Sequence, residues 1–196
     1  QLPLITYALQ RAFLHGIGKS RVRGELESVE WEGQEESVPL WDAVSGNILP
    51  HDARLEIPPL GSPERLRLRI FTPLRLQNQG KPLSADDLRP RTLVTALMRR
   101  ASLLFEMHAD MPGIVGDATA LARHAEGLVD SRQLRWLEWT RFSSRQQQEM
   151  KLGGVVGEWT LRGALGPVLI WLWLGQWLHV GKNSTMGMGR YVLELD

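Results

Sequence analysis

The chain has 196 residues, of which 43% are hydrophobic and 23% are charged, a composition typical of a globular protein with a buried core. It contains no cysteine, which excludes disulfides and thiolate metal sites, and its five histidines show no spacing typical of metal ligands.

Charge is unevenly distributed along the chain. Residues 1–24 carry four basic residues and no acid, residues 25–64 carry ten acids and one arginine, and residues 65–196 carry eighteen basic and twelve acidic residues. Nineteen of the basic residues are arginines, the side chain that best matches phosphate oxygens. The pattern is consistent with a polyanionic partner, although ordinary solvated faces explain it as well.

The N-terminal segment "QRAFLHGIGKSRVRGELESVEW" predicts a helix, then a glycine-rich loop, then a strand. It lacks the basic and apolar regions of a signal peptide, so we expect a soluble, cytoplasmic protein without a membrane partner. Because the chain opens at Gln1 inside a predicted helix, we also expect further sequence before it in the natural protein. Residues 33–64 read as an acidic connector, with one short strand near Arg54–Ile57.

Alternating and helical patterns follow from residue 65 onwards. The run "RLRLRIFTPL" alternates between leucine or isoleucine and arginine, which predicts a strand with a basic face, and Pro73 should end it or place it at an edge. A helix is predicted over residues 90–108, with one apolar face that includes His108. "LRWLEWTRFSSRQ" and "VVGEWTLRG" predict two strands joined as a hairpin through residues 151–154. A second helix over 167–178 and a strand over 190–195 complete the chain.

The segment "HVGKNSTMGMGRY" lies between this last helix and last strand. Its glycines and its basic residues Lys182 and Arg190 suit an anion, but the order helix, loop, strand differs from that of a dinucleotide fingerprint, and the Walker spacing is absent. We therefore expect no nucleotide cofactor and no metal. The same order of Leu-His, glycine loop and strand in the N-terminal segment indicates an internal repeat.

The element order strand, helix, strand, strand, helix, strand is that of an α+β, ferredoxin-like (βαββαβ) domain with a four-stranded antiparallel sheet. We assign residues 65–196 to one complete domain of this type. Residues 1–32 then read as the end of a truncated first ferredoxin-like domain.

Four stretches resemble the RAMP superfamily of CRISPR-associated proteins, in particular the C-terminal domain of its repeat-RNA-processing endoribonuclease. They are "FTPLRLQNQGKPL", "LMRRASLLFEMH", "WTRFSSRQQQEMKLGGVVGEWTLRG" and "GQWLHVGKNSTMGMGRY". The resemblance implies binding of CRISPR repeat RNA and metal-independent cleavage by attack of a ribose 2′-hydroxyl on the adjacent phosphate. A non-catalytic RAMP subunit that binds guide RNA in an effector complex is the alternative, and other CRISPR-associated effector subunits are candidate partners.

Candidate site residues follow from the loops and the basic strand ends. The predicted RNA contacts are Lys182, Asn183, Ser184, Thr185, Arg190, Arg141, Arg145, Lys19 and Arg21. The glycines are expected to leave the loop backbone bare for close approach of the RNA. The catalytic residue is unknown, with His15 and His179 as weak candidates, because the resemblance places the general acid and base in the first domain.

Overall fold

A computed structural model describes residues 1–32, 36–53, 57–109, 116–143 and 147–195. The chain divides into two compact units, Gln1–Pro59 and Leu60–Asp196. The assignment of two ferredoxin-like domains and a connector stays a prediction.

The first unit contains one helix and one small hairpin. Helix α1 spans Leu2–His15, as the apolar pattern predicts. The residues after the first glycine loop do not form the predicted continuous strand; instead β1 (Glu30–Glu32) pairs with β2 (Ser37–Pro39). Residues 23–29 do not form a strand, so the prediction of a strand directly after this loop is wrong. The strand predicted near Arg54–Ile57 falls largely outside the described residues.

The second unit is built on the predicted four-stranded antiparallel sheet. Its strands are β3 (Arg65–Leu74), β6 (Val129–Leu137), β9 (Gly154–Arg162) and β10 (Tyr191–Leu195), in the order β10-β3-β9-β6. Helices α2 (Pro90–Ala109) and α4 (Gly166–Leu178) share one apolar core with the sheet. The ferredoxin-like fold class is therefore confirmed.

Three short elements were not predicted. Helix α3 (Ala118–Glu126) lies between α2 and β6 and is capped by Asp117, whose carboxylate accepts from the Ala120 amide at 2.9 Å. Two small hairpins are formed by β4 (Gln77–Asn78) with β5 (Lys81–Pro82) and by β7 (Thr140–Ser143) with β8 (Gln148–Lys151).

The predicted hairpin through residues 151–154 is wrong in its position. Strand β6 ends at Leu137, and the β7–β8 hairpin is inserted before β9 begins at Gly154. Gly154 is the first residue of β9, and only glycine fits there because a Cβ would stand 2.8 Å from the Leu74 carbonyl oxygen. The glycine pair thus marks a close approach of two strands rather than a turn.

Pro73 lies one residue before the end of β3, which is a central strand, so its predicted place near a strand end agrees with the structure and the edge alternative is wrong. The pairing of β3 with β9 shifts between Ile70 and Leu74, so Pro73 occupies an irregularity of the ladder, where its missing amide hydrogen costs no regular hydrogen bond. This irregular end of β3 is where the second glycine loop is attached.

The core face of α2 agrees with the predicted face except at its end, where His108 is exposed. Among the described residues, the model contains no helix with the length and apolar character needed to cross a bilayer.

Candidate nucleic-acid interface

The second glycine loop begins where α4 ends. His179 adopts a left-handed backbone conformation (φ 56°) and donates its amide to the Gly175 carbonyl at 2.9 Å. Asn183, Gly187 and Gly189 also have positive φ values, and a single 3-10 turn spans Ser184–Met186. The reversal of direction therefore uses several left-handed residues, which glycine and asparagine adopt at low cost.

Backbone hydrogen bonds join this loop to the irregular end of β3. The Lys182 amide donates to the Arg75 carbonyl at 2.9 Å, and the Gly189 amide donates to the Pro73 carbonyl at 3.1 Å. The Thr72 hydroxyl donates to the Gly187 carbonyl at 2.8 Å and accepts from the Arg190 amide at 2.8 Å. These four contacts fix the shape of the loop from outside it.

Two loop glycines are required by these close approaches. A Cβ on Gly189 would lie 1.8 Å from the Val180 carbonyl oxygen, and a Cβ on Gly181 would lie 2.7 Å from that of Arg75. The expectation that the glycines leave the backbone bare for a ligand is thus wrong at these positions. The glycines admit neighbouring protein backbone, and the amides of Lys182, Gly189 and Arg190 are already used.

Side chains, rather than backbone amides, face solvent in the loop. Lys182, Thr185 and Arg190 are exposed, while Asn183 and Ser184 are half-buried. Lys182 and Arg190 lie at the two ends of the part of the loop that hydrogen bonds join to Thr72, Pro73 and Arg75. Two cations on a loop of fixed conformation can bind phosphate oxygens at defined positions.

The first glycine loop, which carries Lys19 and Arg21, is closed differently. Ile17 and Val22 form an isolated antiparallel pair, and a Cβ on Gly16 would stand 2.3 Å from the Arg21 carbonyl oxygen. Lys19 and Arg21 are both exposed, and Arg21 has a positive φ of 49°. The two predicted contacts therefore sit on a tight, self-closed turn.

The β7–β8 hairpin carries Arg141, which is exposed on β7, whereas Arg145 lies outside the described residues. Exposed aromatic side chains accompany Arg141: Trp139 is 42% and Phe142 is 57% accessible. A cation beside accessible aromatic rings is a combination that binds nucleotide bases as well as phosphates.

Arg75 connects this hairpin with the second glycine loop. Its guanidinium donates from Nη1 to the Lys151 carbonyl at 3.0 Å and to the Gly153 carbonyl at 3.3 Å, while its own carbonyl accepts from Lys182. Sequence reasoning missed this residue, because a single arginine after a strand looks like any solvated cation. Its half-buried position is the distinguishing feature.

The basic face of β3 is partly neutralised. Arg69 Nη1 lies 3.1 Å from Glu194 Oε1, and Arg67 Nη1 lies 3.8 Å from Glu158 Oε2. The Arg69 guanidinium also stands 5.5 Å from the centre of the Phe71 ring. These contacts agree with leaving this face out of the predicted RNA contacts.

The two candidate catalytic histidines occupy different settings. His15 is exposed, and its Nδ1 lies 2.7 Å from the Arg11 carbonyl within α1. His179 is half-buried, and burial lowers the pKa of its imidazole. A backbone hydrogen bond at Met188 opposes that lowering of the pKa, while Arg190 and Arg100 add to it. A neutral imidazole can accept a proton as a general base, so the chemistry of His179 permits that role.

Comparisons with known proteins were made by sequence and by structure. The family model for CRISPR-associated endoribonuclease Cas6 matches residues 68–191, more than half of the chain. Thermus thermophilus Cas6 matches in structure with a TM-score of 0.51 and 21% identity, covering 69% of this chain and 55% of that one. No curated protein sequence matches.

Two further solved structures are similar. A Cas6 product complex has a TM-score of 0.49 and 22% identity, covering 69% of this chain and 53% of that one. A partial Cas6-RT-Cas1–Cas2 complex has a TM-score of 0.49 and 20% identity, covering 68% and 23%.

The matched part spans about half the length of Thermus thermophilus Cas6, and at this identity the likeness shows a shared fold. The match to the family model covers β3 from Leu68, both main helices, the β7–β8 hairpin and the second glycine loop. The chain belongs to the CRISPR-associated endoribonuclease Cas6 family.

Proposed function

We propose that this protein binds CRISPR repeat RNA and takes part in its processing into guide RNAs. The observation that carries the proposal is the second glycine loop, which β3 holds through Thr72, Pro73 and Arg75 while Lys182 and Arg190 remain exposed. Phosphate contacts made by such residues position an RNA without reading its sequence. Family membership supplies the substrate class.

The proposed reaction needs no metal. The 2′-hydroxyl of one nucleotide attacks the adjacent phosphorus while a base removes the hydroxyl proton. The bond from phosphorus to the 5′-oxygen then breaks, and an acid protonates that oxygen. The products are a 2′,3′-cyclic phosphate and a 5′-hydroxyl. Arginine or lysine stabilises the charge that develops on the phosphorane.

RNA binding without cleavage is the second candidate function. The observation that favours it for residues 1–196 is that the matched part spans about half the length of Thermus thermophilus Cas6. We propose that the main acid and base lie outside this chain, in the first domain of the whole protein. We also propose that the protein associates with other CRISPR-associated subunits.

Incubation of labelled repeat RNA with residues 1–196, and separately with the full-length protein, tests both functions. EDTA is present throughout. We expect residues 1–196 to shift the RNA without efficient cleavage, and the full-length protein to yield products ending in cyclic phosphate. Intact RNA in the full-length reaction would identify the binding subunit. Robust cleavage by residues 1–196 that His15→Ala or His179→Ala abolishes would show that the acid and base were placed wrongly.

A further inference from the structure

A cleft of about 620 Å³ lies beside the second glycine loop, between that loop, the residues that follow β3 and the solvent-facing side of α2. Its size is within the range of pockets that enclose a small organic ligand, ~300–1,000 Å³. Of the described residues predicted as RNA contacts or as catalytic histidines, Lys182 alone lines this cleft.

Five cationic side chains line the cleft: Arg75, Arg91, Arg99, Arg100 and Lys182. None of the described residues that line it is acidic. A concave surface with one sign of charge concentrates oppositely charged ligands. The lining therefore predicts an anionic occupant.

Three of these cations already have protein partners. Arg91 is paired with Glu126, Arg75 donates to the Lys151 carbonyl, and the Nε of Arg100 donates to the Leu178 carbonyl at 2.5 Å.

The side chains of Arg99 and Lys182 are different, because both are exposed and neither has a hydrogen bond or ion pair with any other part of the chain that the structure describes. These two charges are the ones available to a ligand.

The other end of the cleft is apolar. Leu103 and Met107 follow Arg99 at intervals of four residues on α2, so the three side chains lie in one row along the helix. Leu103 is 49% and Met107 is 72% accessible, and both line the cleft. The row therefore has a charged end next to the loop and an apolar end further along the helix.

An unpaired nucleotide has the same two-part chemistry. Its phosphate is an anion, and its base presents an apolar face that aromatic, aliphatic or guanidinium groups cover. A duplex hides its base faces and presents phosphates alone, so it leaves the apolar end of the cleft unused.

We propose that this cleft binds an unpaired segment of the RNA whose backbone follows the second glycine loop. A phosphate lies at Arg99 and Lys182, and a base lies against Leu103 and Met107. The inference rests on the proposed RNA-binding function and assigns α2 a part in it.

The test measures the affinity of residues 1–196 for two probes, an unpaired oligouridylate and a blunt RNA duplex of equal length, by fluorescence anisotropy. The variants Arg99→Ala and Leu103→Gln both change exposed side chains, and circular dichroism checks that each is folded. We expect each to weaken the unpaired probe about tenfold, a typical loss for one charged or stacking contact. Binding of the duplex should stay within twofold of wild type for Leu103→Gln, whereas Arg99→Ala removes a phosphate-binding charge and should weaken the duplex as well.

Matched variants separate this inference from the proposed function. Arg123→Ala removes an exposed arginine from α3 outside the cleft and should leave both probes unchanged. Arg190→Ala removes a loop cation outside the cleft and should weaken both probes.

If Arg190→Ala acts but Arg99→Ala and Leu103→Gln do not, the cleft proposal fails while the function stands. If neither probe binds the wild-type chain, both fail. Equal binding of a polyglutamate peptide, weakened by the same cleft variants, would identify a site for anions in general and would overturn the assignment to RNA.

Discussion

The two glycine-rich loops of the chain are similar in sequence but are held by different parts of the molecule. In the first loop, Ile17 and Val22 exchange backbone hydrogen bonds of 2.8 and 3.1 Å, so the turn closes on itself. In the second loop, the amides of Lys182 and Gly189 bond to the carbonyls of Arg75 and Pro73 on another element. The glycine motif that both loops share therefore specifies a reversal of chain direction. Hydrogen bonds to other elements determine whether the loop is also anchored.

The difference affects the basic residues on each loop. A side chain on an anchored frame loses less freedom when it binds, so more of its interaction energy appears as affinity. Lys182 and Arg190 lie on such a loop, whereas the hydrogen bonds described for the turn of Lys19 and Arg21 join it to itself and to the end of the preceding helix α1. Four predictions follow, from the largest expected effect to the smallest.

Substitution of Gly189 by alanine should have the largest effect. The new Cβ would lie 1.8 Å from the Val180 carbonyl oxygen at a φ of 73°, which combines a backbone clash with left-handed strain. We expect a loss of about 3–5 kcal/mol in the free energy of unfolding, which is typical of a substitution that causes both a steric clash and backbone strain. Urea denaturation of the whole chain, followed by tryptophan fluorescence, measures this loss.

Gly187→Ala is the matched control for this change. Gly187 has a φ of 83° but nothing within 4 Å of an added Cβ, so only the conformational cost of about 1–2 kcal/mol applies. Equal losses for Gly187→Ala and Gly189→Ala would show that the close approach at Gly189 is unimportant.

Thr72→Val should loosen the second loop without changing the volume of the side chain. It removes the donor to the Gly187 carbonyl and the acceptor for the Arg190 amide. The expected loss of unfolding free energy is about 1–3 kcal/mol, because two polar groups lose a partner. Thr119→Val on α3, where the side chain is exposed, is expected to change stability by less than ~0.5 kcal/mol. A loss no larger than that of Thr119→Val would contradict the anchoring.

Arg190→Ala and Lys182→Ala should each reduce RNA affinity about tenfold, or ~1.4 kcal/mol, with a flatter dependence on salt. One lost phosphate contact changes the log–log slope by ~0.7 on a single strand. Lys19→Ala and Arg21→Ala should have smaller effects because their loop is not anchored. A salt titration with repeat RNA measures all four variants, and a larger effect at Lys19 than at Lys182 would reverse the comparison.

The smallest effect expected is a dependence of stability on pH through His179. Burial lowers the pKa of this imidazole in the folded protein, so just below the unfolded value of about 6.5 the unfolded chain binds more protons. Stability should therefore fall as the pH decreases from 7 towards 5. His179→Gln should remove part of that slope in denaturation curves recorded at several pH values. An identical slope in wild type and variant would show that His179 makes no such contribution.

The elements that sequence predicted well are those with long, regular patterns. Strand β3 and helices α2 and α4 carry an apolar period over most of their length, and the order of elements then led to the ferredoxin-like sheet. Helix α3 and the β7–β8 hairpin were missed because they are short. Pro73 was placed at a strand end or edge because proline normally lies there, and no local pattern reveals the irregular pairing that accommodates it.

The roles of the proposed site residues stay predictions, and the way in which the protein holds the second glycine loop was not predicted. Lys182 and Arg190 were found because glycine and basic residues are adjacent in sequence. Their attachment to Thr72 and Arg75 joins residues more than a hundred positions apart, and such pairs leave no trace in local spacing. The same applies to Gly175, where a Cβ would lie 2.0 Å from the Tyr191 hydroxyl oxygen although the sequence shows only one more small residue in an apolar helix.

The insertion of the β7–β8 hairpin has a consequence for how this fold can vary. Strands β6 and β9 pair directly, from Val129 with Arg162 to Leu137 with Gly154, so none of the rungs described for the four-stranded ladder involves β7 or β8. The Leu152 amide bonds to the Trp139 carbonyl at 2.6 Å, which closes the base of the insertion. Residues beyond that closure can be added or removed while the sheet keeps its register, so this exposed surface can vary on a scaffold that does not.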